Sequence, residues 1–102
     1  QILTKVRTVG NVSFAELEEI EGFAGGNLEV GLLQRNLVFW QGLTREGADA
    51  LNELVGLIEP KMVSILVYLA DGKMLTYPIA KTAGPYKKPR WVPVVFNLKE
   101  RV

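Results

Sequence analysis

Residues 37–48 read Leu37-Val38-Phe39-Trp40-Gln41-Gly42-Leu43-Thr44-Arg45-Glu46-Gly47-Ala48, and the fold class turns on them. Leu37 to Trp40 are the branched and aromatic types that suit a pleated, half-buried surface, which favours a strand over a helix. Thr44 then supplies a hydroxyl able to accept a backbone N–H of a following helical turn, with Leu43 and Ala48 at the positions of a hydrophobic staple. Beyond it Ala48, Leu51, Val55 and Ile58 recur at helical spacing, Leu54 widens the stripe, and Pro60 closes the region. A strand that runs straight into a capped helix defines an α+β chain.

Upstream of this stretch, Leu28, Val30 and Leu32 alternate with Glu29 and Gly31 as in a half-buried strand, and Gln34-Arg35-Asn36 is the turn between the two strands. Gly25-Gly26-Asn27 reads as a loop. Those glycines follow a helix instead of opening one, so they lack the context of a phosphate cradle. The helix before them begins with a capping box, Ser13 with Glu16, flanked by the Val12–Leu17 staple, and Gly22 is its stop. Its apolar stripe is Phe14, Leu17 and Ile20, or else Leu17, Ile20 and Phe23. Its other face carries Glu16, Glu18, Glu19 and Glu21, a solvated run whose first-turn members suit the helix dipole without any metal. Residues 2–9, rich in β-branched side chains, read as a further strand ending at Gly10-Asn11.

Downstream, residues 62–70 are almost entirely apolar, as in a central strand covered on both faces. Asp71-Gly72 is a strong hairpin signal, and residues 73–77 are the return strand, ended by Pro78. Residues 80–90 form a polar loop. A last strand covers about 91–98, where Pro93 makes it an edge strand or delays its start. The expected fold is one α+β domain over residues 1–102. It has a mostly antiparallel sheet of five to six strands with two helices on one face, ferredoxin-like (split βαβ) with an added C-terminal hairpin or strand.

Residues 37–44, followed by a helix and a hairpin, resemble the opening of the RNA-recognition motif, and the resemblance covers about residues 37–80. Residues 73–79 lack that family's glycine and its second aromatic, so no base-stacking role is carried over, and Trp40 is expected in the core.

The chain of 102 residues contains no histidine and no cysteine. That excludes histidine-dependent triads, thiolate nucleophiles, disulfides and Cys/His metal sites, and it points away from an enzyme. No metal and no cofactor is expected. The longest apolar run, 62–70, falls far short of the ~20 residues that span a bilayer, so a cytoplasmic protein without a membrane partner is the expectation. Charge is divided along the chain. Residues 1–60 carry four basic and nine acidic side chains (net −5), and residues 61–102 carry eight and two (net +6), which together give +1.

The densest positive segment is residues 81–91, where Lys81, Lys87, Lys88 and Arg90 are interleaved with Tyr86 and Trp91 and stiffened by Pro85 and Pro89. These six residues are the candidate binding set, because cations displace counterions from phosphates and aromatic faces stack on unpaired bases. The plainer reading seats Tyr86 and Trp91 at the rim of the core while the lysines protect an edge strand. The expected function is a small non-enzymatic interaction module, self-associating or binding another protein. The alternative is a binder of nucleic acid or another polyanion through the 81–91 loop.

Overall fold

The computed structural model describes residues 1–99. In chain order the elements are α1 (Ile2–Val9), β1 (Val12–Ser13), α2 (Phe14–Leu17), β2 (Ala24–Leu32), β3 (Leu37–Leu43), α3 (Arg45–Asn52), β4 (Ile58–Met62), α4 (Leu66–Leu69), β5 (Arg90–Trp91) and β6 (Val94–Leu98), with a 3₁₀ turn at Leu33–Arg35. The strands form two three-stranded sheets, ordered β1-β6-β4 and β2-β3-β5. All pairings are antiparallel except β3 with β5. The α+β class therefore stands, but six strands in two sheets with four helices replace the single sheet with two helices.

Local chemistry explains the elements that match. The Ser13 side chain accepts from the Glu16 N–H at 3.2 Å while the Glu16 carboxylate accepts from the Ser13 N–H at 3.2 Å. Thr44 Oγ1 accepts from the Gly47 N–H at 2.9 Å and starts α3. Between β2 and β3 the turn closes on Asn36 in the left-handed conformation (φ 57°). Beside it, two glycines have steric reasons. A Cβ on Gly26 would lie 2.2 Å from the Leu43 carbonyl oxygen, and one on Gly31 would lie 2.3 Å from that of Leu37. Gly25-Gly26-Asn27, expected as a loop, is thus the first part of β2.

Several segments differ from expectation, among them the helix expected to run to Pro60, which ends at Asn52 while Ile58 opens β4. Residues 2–9 form a helix, because Ile2 and Val6 stand one turn apart and both sink into the core. The 62–70 run is not a buried strand. Met62 ends the edge strand β4, and Leu66–Leu69 coil into α4 around the single fully buried side chain of Tyr68. Asp71-Gly72 then closes a helix instead of a hairpin. Gly72, at φ 69°, donates to Leu69 O at 3.0 Å and Lys73 N donates to Tyr68 O at 3.1 Å, the paired bonds of a Schellman stop. No strand forms over residues 73–77. The predicted last strand is cut at Val92-Pro93, and its two pieces serve different sheets.

One core joins both sheets. Trp40 of β3 and Trp91 of β5 have ring centroids 5.9 Å apart, and Tyr68 lies 5.1 Å from Trp40 and 5.4 Å from Trp91. Phe14 stacks on Trp40 at 5.9 Å and meets Phe96 of β6 edge-on at 5.2 Å. The Tyr68 hydroxyl is fully satisfied inside this cluster. It accepts from Phe14 N–H at 3.0 Å and donates to Val94 O at 2.6 Å. Burial pushes the phenol up to about 12.

Tyr68→Phe should destabilise the protein by about 2–4 kcal/mol, because it orphans a buried donor and a buried acceptor. The urea midpoint should fall with the slope unchanged. The raised phenol also means that the folded state holds its proton more tightly than the unfolded chain, where the ordinary value is about 10. Stability from this group is therefore complete below pH ~10 and is lost between about 10 and 12. Tyr68→Phe should remove that part of the alkaline fall.

Candidate interaction surfaces

The 81–90 segment is ordered by backbone bonds to the start of β3. Tyr86 N–H donates to Arg35 O at 3.1 Å, Arg90 N–H donates to Asn36 O at 2.8 Å, and Asn36 Nδ2 donates to Tyr86 O at 2.7 Å. Arg35 reaches back from β3's entrance. Its Nε and Nη2 donate to the carbonyls of Ala83 (2.8 Å) and Gly84 (3.0 Å). The Tyr86 hydroxyl closes the loop from inside, accepting from the N–H groups of Lys81 (3.0 Å) and Thr82 (2.9 Å). Its bond with the Thr82 side chain, followed by these backbone donors and the nearby Arg90 charge, holds the phenol below its ordinary value.

The six candidate residues divide into two groups. Lys81, Lys87 and Lys88 are exposed on the loop, and Arg90 lies half-buried with its guanidinium 4.8 Å above the Tyr86 ring. The two aromatics do not join them as stacking surfaces. Trp91 is 0 % exposed and donates its indole N–H to Phe39 O at 3.2 Å. Tyr86 is half-buried, with one face under Arg90 and its hydroxyl engaged. Trp40 is 4 % exposed, as expected of a core residue, and donates to Glu18 Oε2 at 2.9 Å. The loop is thus a ridge of cations on an aromatic base, joined by Arg35, which sequence reasoning had read as part of a turn. The ion pairs among the described residues are Lys5–Glu19 (3.1 Å) and Lys73–Glu18, and neither involves the ridge.

A second surface lies at the far end of β3. There Thr44 N–H donates to Phe23 O at 3.0 Å and Thr44 Oγ1 donates to Gly22 O at 2.5 Å. These bonds pull the turn after α2 against the start of α3. The contact is close enough that a Cβ on Gly47 would lie 2.5 Å from Phe23 O. Between this turn, α1 and α3 runs a groove of about 300 Å³ with Leu3, Ile20, Ala50 and Leu54 among its lining and Glu21, Glu46 and Glu53 around it. Glu46, Ala50 and Glu53 share it because they stand four and three residues apart on one helical face.

The third surface is apolar. Leu66 and Leu69 of α4 are 67 % and 45 % exposed, and Met62 and Met74, before and after them in sequence, are 58 % and 52 % exposed. Val67 is exposed as well. Sequence reasoning missed this surface because it took the run as buried.

No protein family, curated protein or solved structure matches the chain. Among the described residues no group of three or more acidic side chains is placed to hold a metal ion, and no helix is long and apolar enough to cross a membrane.

The loop's internal tie is directly testable. Tyr86→Phe releases the N–H groups of Lys81 and Thr82, and at about 1 kcal/mol per lost bond their amide exchange should accelerate roughly fivefold. Exchange at the buried Val38 and Phe96 amides should be unaffected.

Proposed function

We propose that this protein is a small non-enzymatic interaction module that self-associates through the apolar face formed by Met62, Leu66, Val67, Leu69 and Met74. The observation that carries the reading is the exposure of these side chains on one short stretch of chain. Apolar patches of this kind, in otherwise polar surfaces, mark contact sites. A second copy is the natural occupant. Residues 62–70 carry no charge; of the two charges between Ala70 and Met74, the Lys73 ammonium is held by Glu18 and the Asp71 carboxylate has no ion pair among the described residues. An apolar face whose charge is confined to one margin is complementary to itself across a twofold axis. Methionine at its margins adapts to an irregular opposing surface. Pairing through the free edge of β4 is disfavoured, because Glu59, Pro60 and Lys61 occupy that strand.

The ridge supports a second reading, the binding of a polyanion. Arg35, Lys81, Lys87, Lys88 and Arg90 have no carboxylate partner among the described residues. With Trp91 buried and Tyr86 engaged, such binding would rest on phosphates and not on stacked bases. A cytoplasmic setting suits either reading.

Light scattering separates the two. The apolar interface should give a dimer whose mass persists as salt rises. In high salt, Leu66→Asp with Leu69→Lys, charges matched to the helix ends, should yield a monomer with an unchanged circular-dichroism spectrum. A wild type that is monomeric in high salt, or a variant that stays dimeric there, overturns the proposal. On the second reading heparin retention should weaken steeply with salt, and each of Lys87→Ala and Lys88→Ala should lower the slope of log affinity on log salt by about 0.7–0.9.

A further inference from the structure

The basic ridge and the acidic groove stand at opposite ends of the same strand. Leu37, the first residue of β3, is the register partner of Arg90, and the Arg35 and Asn36 carbonyls just before it hold the ridge. Leu43, the last residue, leads into Thr44, whose bonds to Gly22 and Phe23 hold one wall of the groove. At a rise of about 3.3 Å per residue the seven-residue strand separates the two ends by about 20 Å. That is more than twice the screening length of about 8 Å at physiological ionic strength. The two charge sets therefore do not neutralise each other within one molecule. The internal neutralisation that does occur uses other groups, Lys73 with Glu18 and Lys5 with Glu19.

What remains without an ion pair among the described residues is complementary. The groove offers Glu21, Glu46 and Glu53 around an apolar lining, with Arg45 as the nearby cation of α3. The ridge offers exposed Lys87 and Lys88 between Pro85 and Pro89, on a loop already locked by Tyr86 and Arg35. A groove of about 300 Å³ is at the small end of ligand sites (roughly 300–1,000 Å³), a size that suits long side chains from a docked loop. The loop is preorganised, so little conformational freedom is lost on docking.

We propose that the Lys87-Lys88 ridge of one copy docks in the Glu21–Glu46–Glu53 groove of a second copy, head to tail along the β3 axis. Each copy then uses both ends, and such heterologous contacts extend into chains unless the rotation closes a ring. This contact uses neither Leu66 nor Leu69, so it stands or falls separately from the apolar interface.

The test is made in the Leu66→Asp, Leu69→Lys background, where the apolar face is disabled. Mass by light scattering should rise with protein concentration at about 20 mM NaCl and fall to the monomer at about 500 mM, where screening shortens to a few ångströms. Lys87→Glu with Lys88→Glu, and separately Glu21→Lys with Glu53→Lys, should each give a folded monomer at low salt. Mixing the two variants should restore association, because every interface then pairs opposite charges again. A monomer at all salts, association that ignores salt, or a mixture that stays monomeric overturns the proposal. So does a ridge that retains heparin while no association is seen, an outcome that assigns the cations to a polyanion.

Discussion

The fold depends on one buried hydroxyl. Tyr68 sits where the two tryptophans of one sheet meet Phe14 of α2, which packs on Phe96 of the other sheet, and its oxygen is the hydrogen-bond link between α2 and β6. An aromatic ring here supplies large apolar area, and the polar tip satisfies two backbone groups that would otherwise be sealed from water. Much else is a consequence. α4 exists to deliver Tyr68, and a four-residue helix with one inward side chain must turn its remaining residues outward. The apolar face of Leu66, Val67 and Leu69 is therefore the other side of the element that closes the core.

The same aromatic cluster decides what the basic loop can do. Interleaved cations and aromatics suggest stacking, but Trp91 is drawn into the core by Trp40 and Tyr68, and Tyr86 is spent on tying its own loop. The aromatic residues shape the ridge and the cations face solvent. A surface of this type recognises charge and its spacing, with no means of reading the face of a base.

What was legible in the sequence was local chemistry. The Ser13–Glu16 box, the Thr44 cap, the Asn36 turn and the burial of Trp40 each rest on residues within a few positions of one another or on side-chain type alone. The misreadings have a common cause, which is that period and context compete. Ile2 and Val6 carry a helical spacing that β-branched composition concealed. A continuous apolar run such as 62–70 is compatible with a strand or a helix, and only its partner in space, the Phe14–Val94 site for Tyr68, decides between them. Asp-Gly marks a left-handed glycine, and the same φ serves a hairpin or a helix stop. For the surfaces, the six ridge residues were found as a segment. The division into presented cations and inward aromatics was one of the two readings that the segment allowed, while the groove was not visible, because its walls come from α1, the turn after α2 and α3.

The arrangement of the first sheet has a consequence for how the chain reaches its native state. β6 is the last strand of the described chain and the middle strand of its sheet, with β1 on one side and β4 on the other. Neither neighbour has a partner in that sheet until Val94–Leu98 has been made and delivered. On the ribosome, residues 12–13 and 58–62 emerge long before the strand that organises them. The β2–β3 hairpin, joined through a short turn, can form early, while the other sheet assembles only after Val94–Leu98 has emerged. The strand that closes this sheet is thus its keystone, and until it has been made the nascent chain carries an incomplete aromatic core.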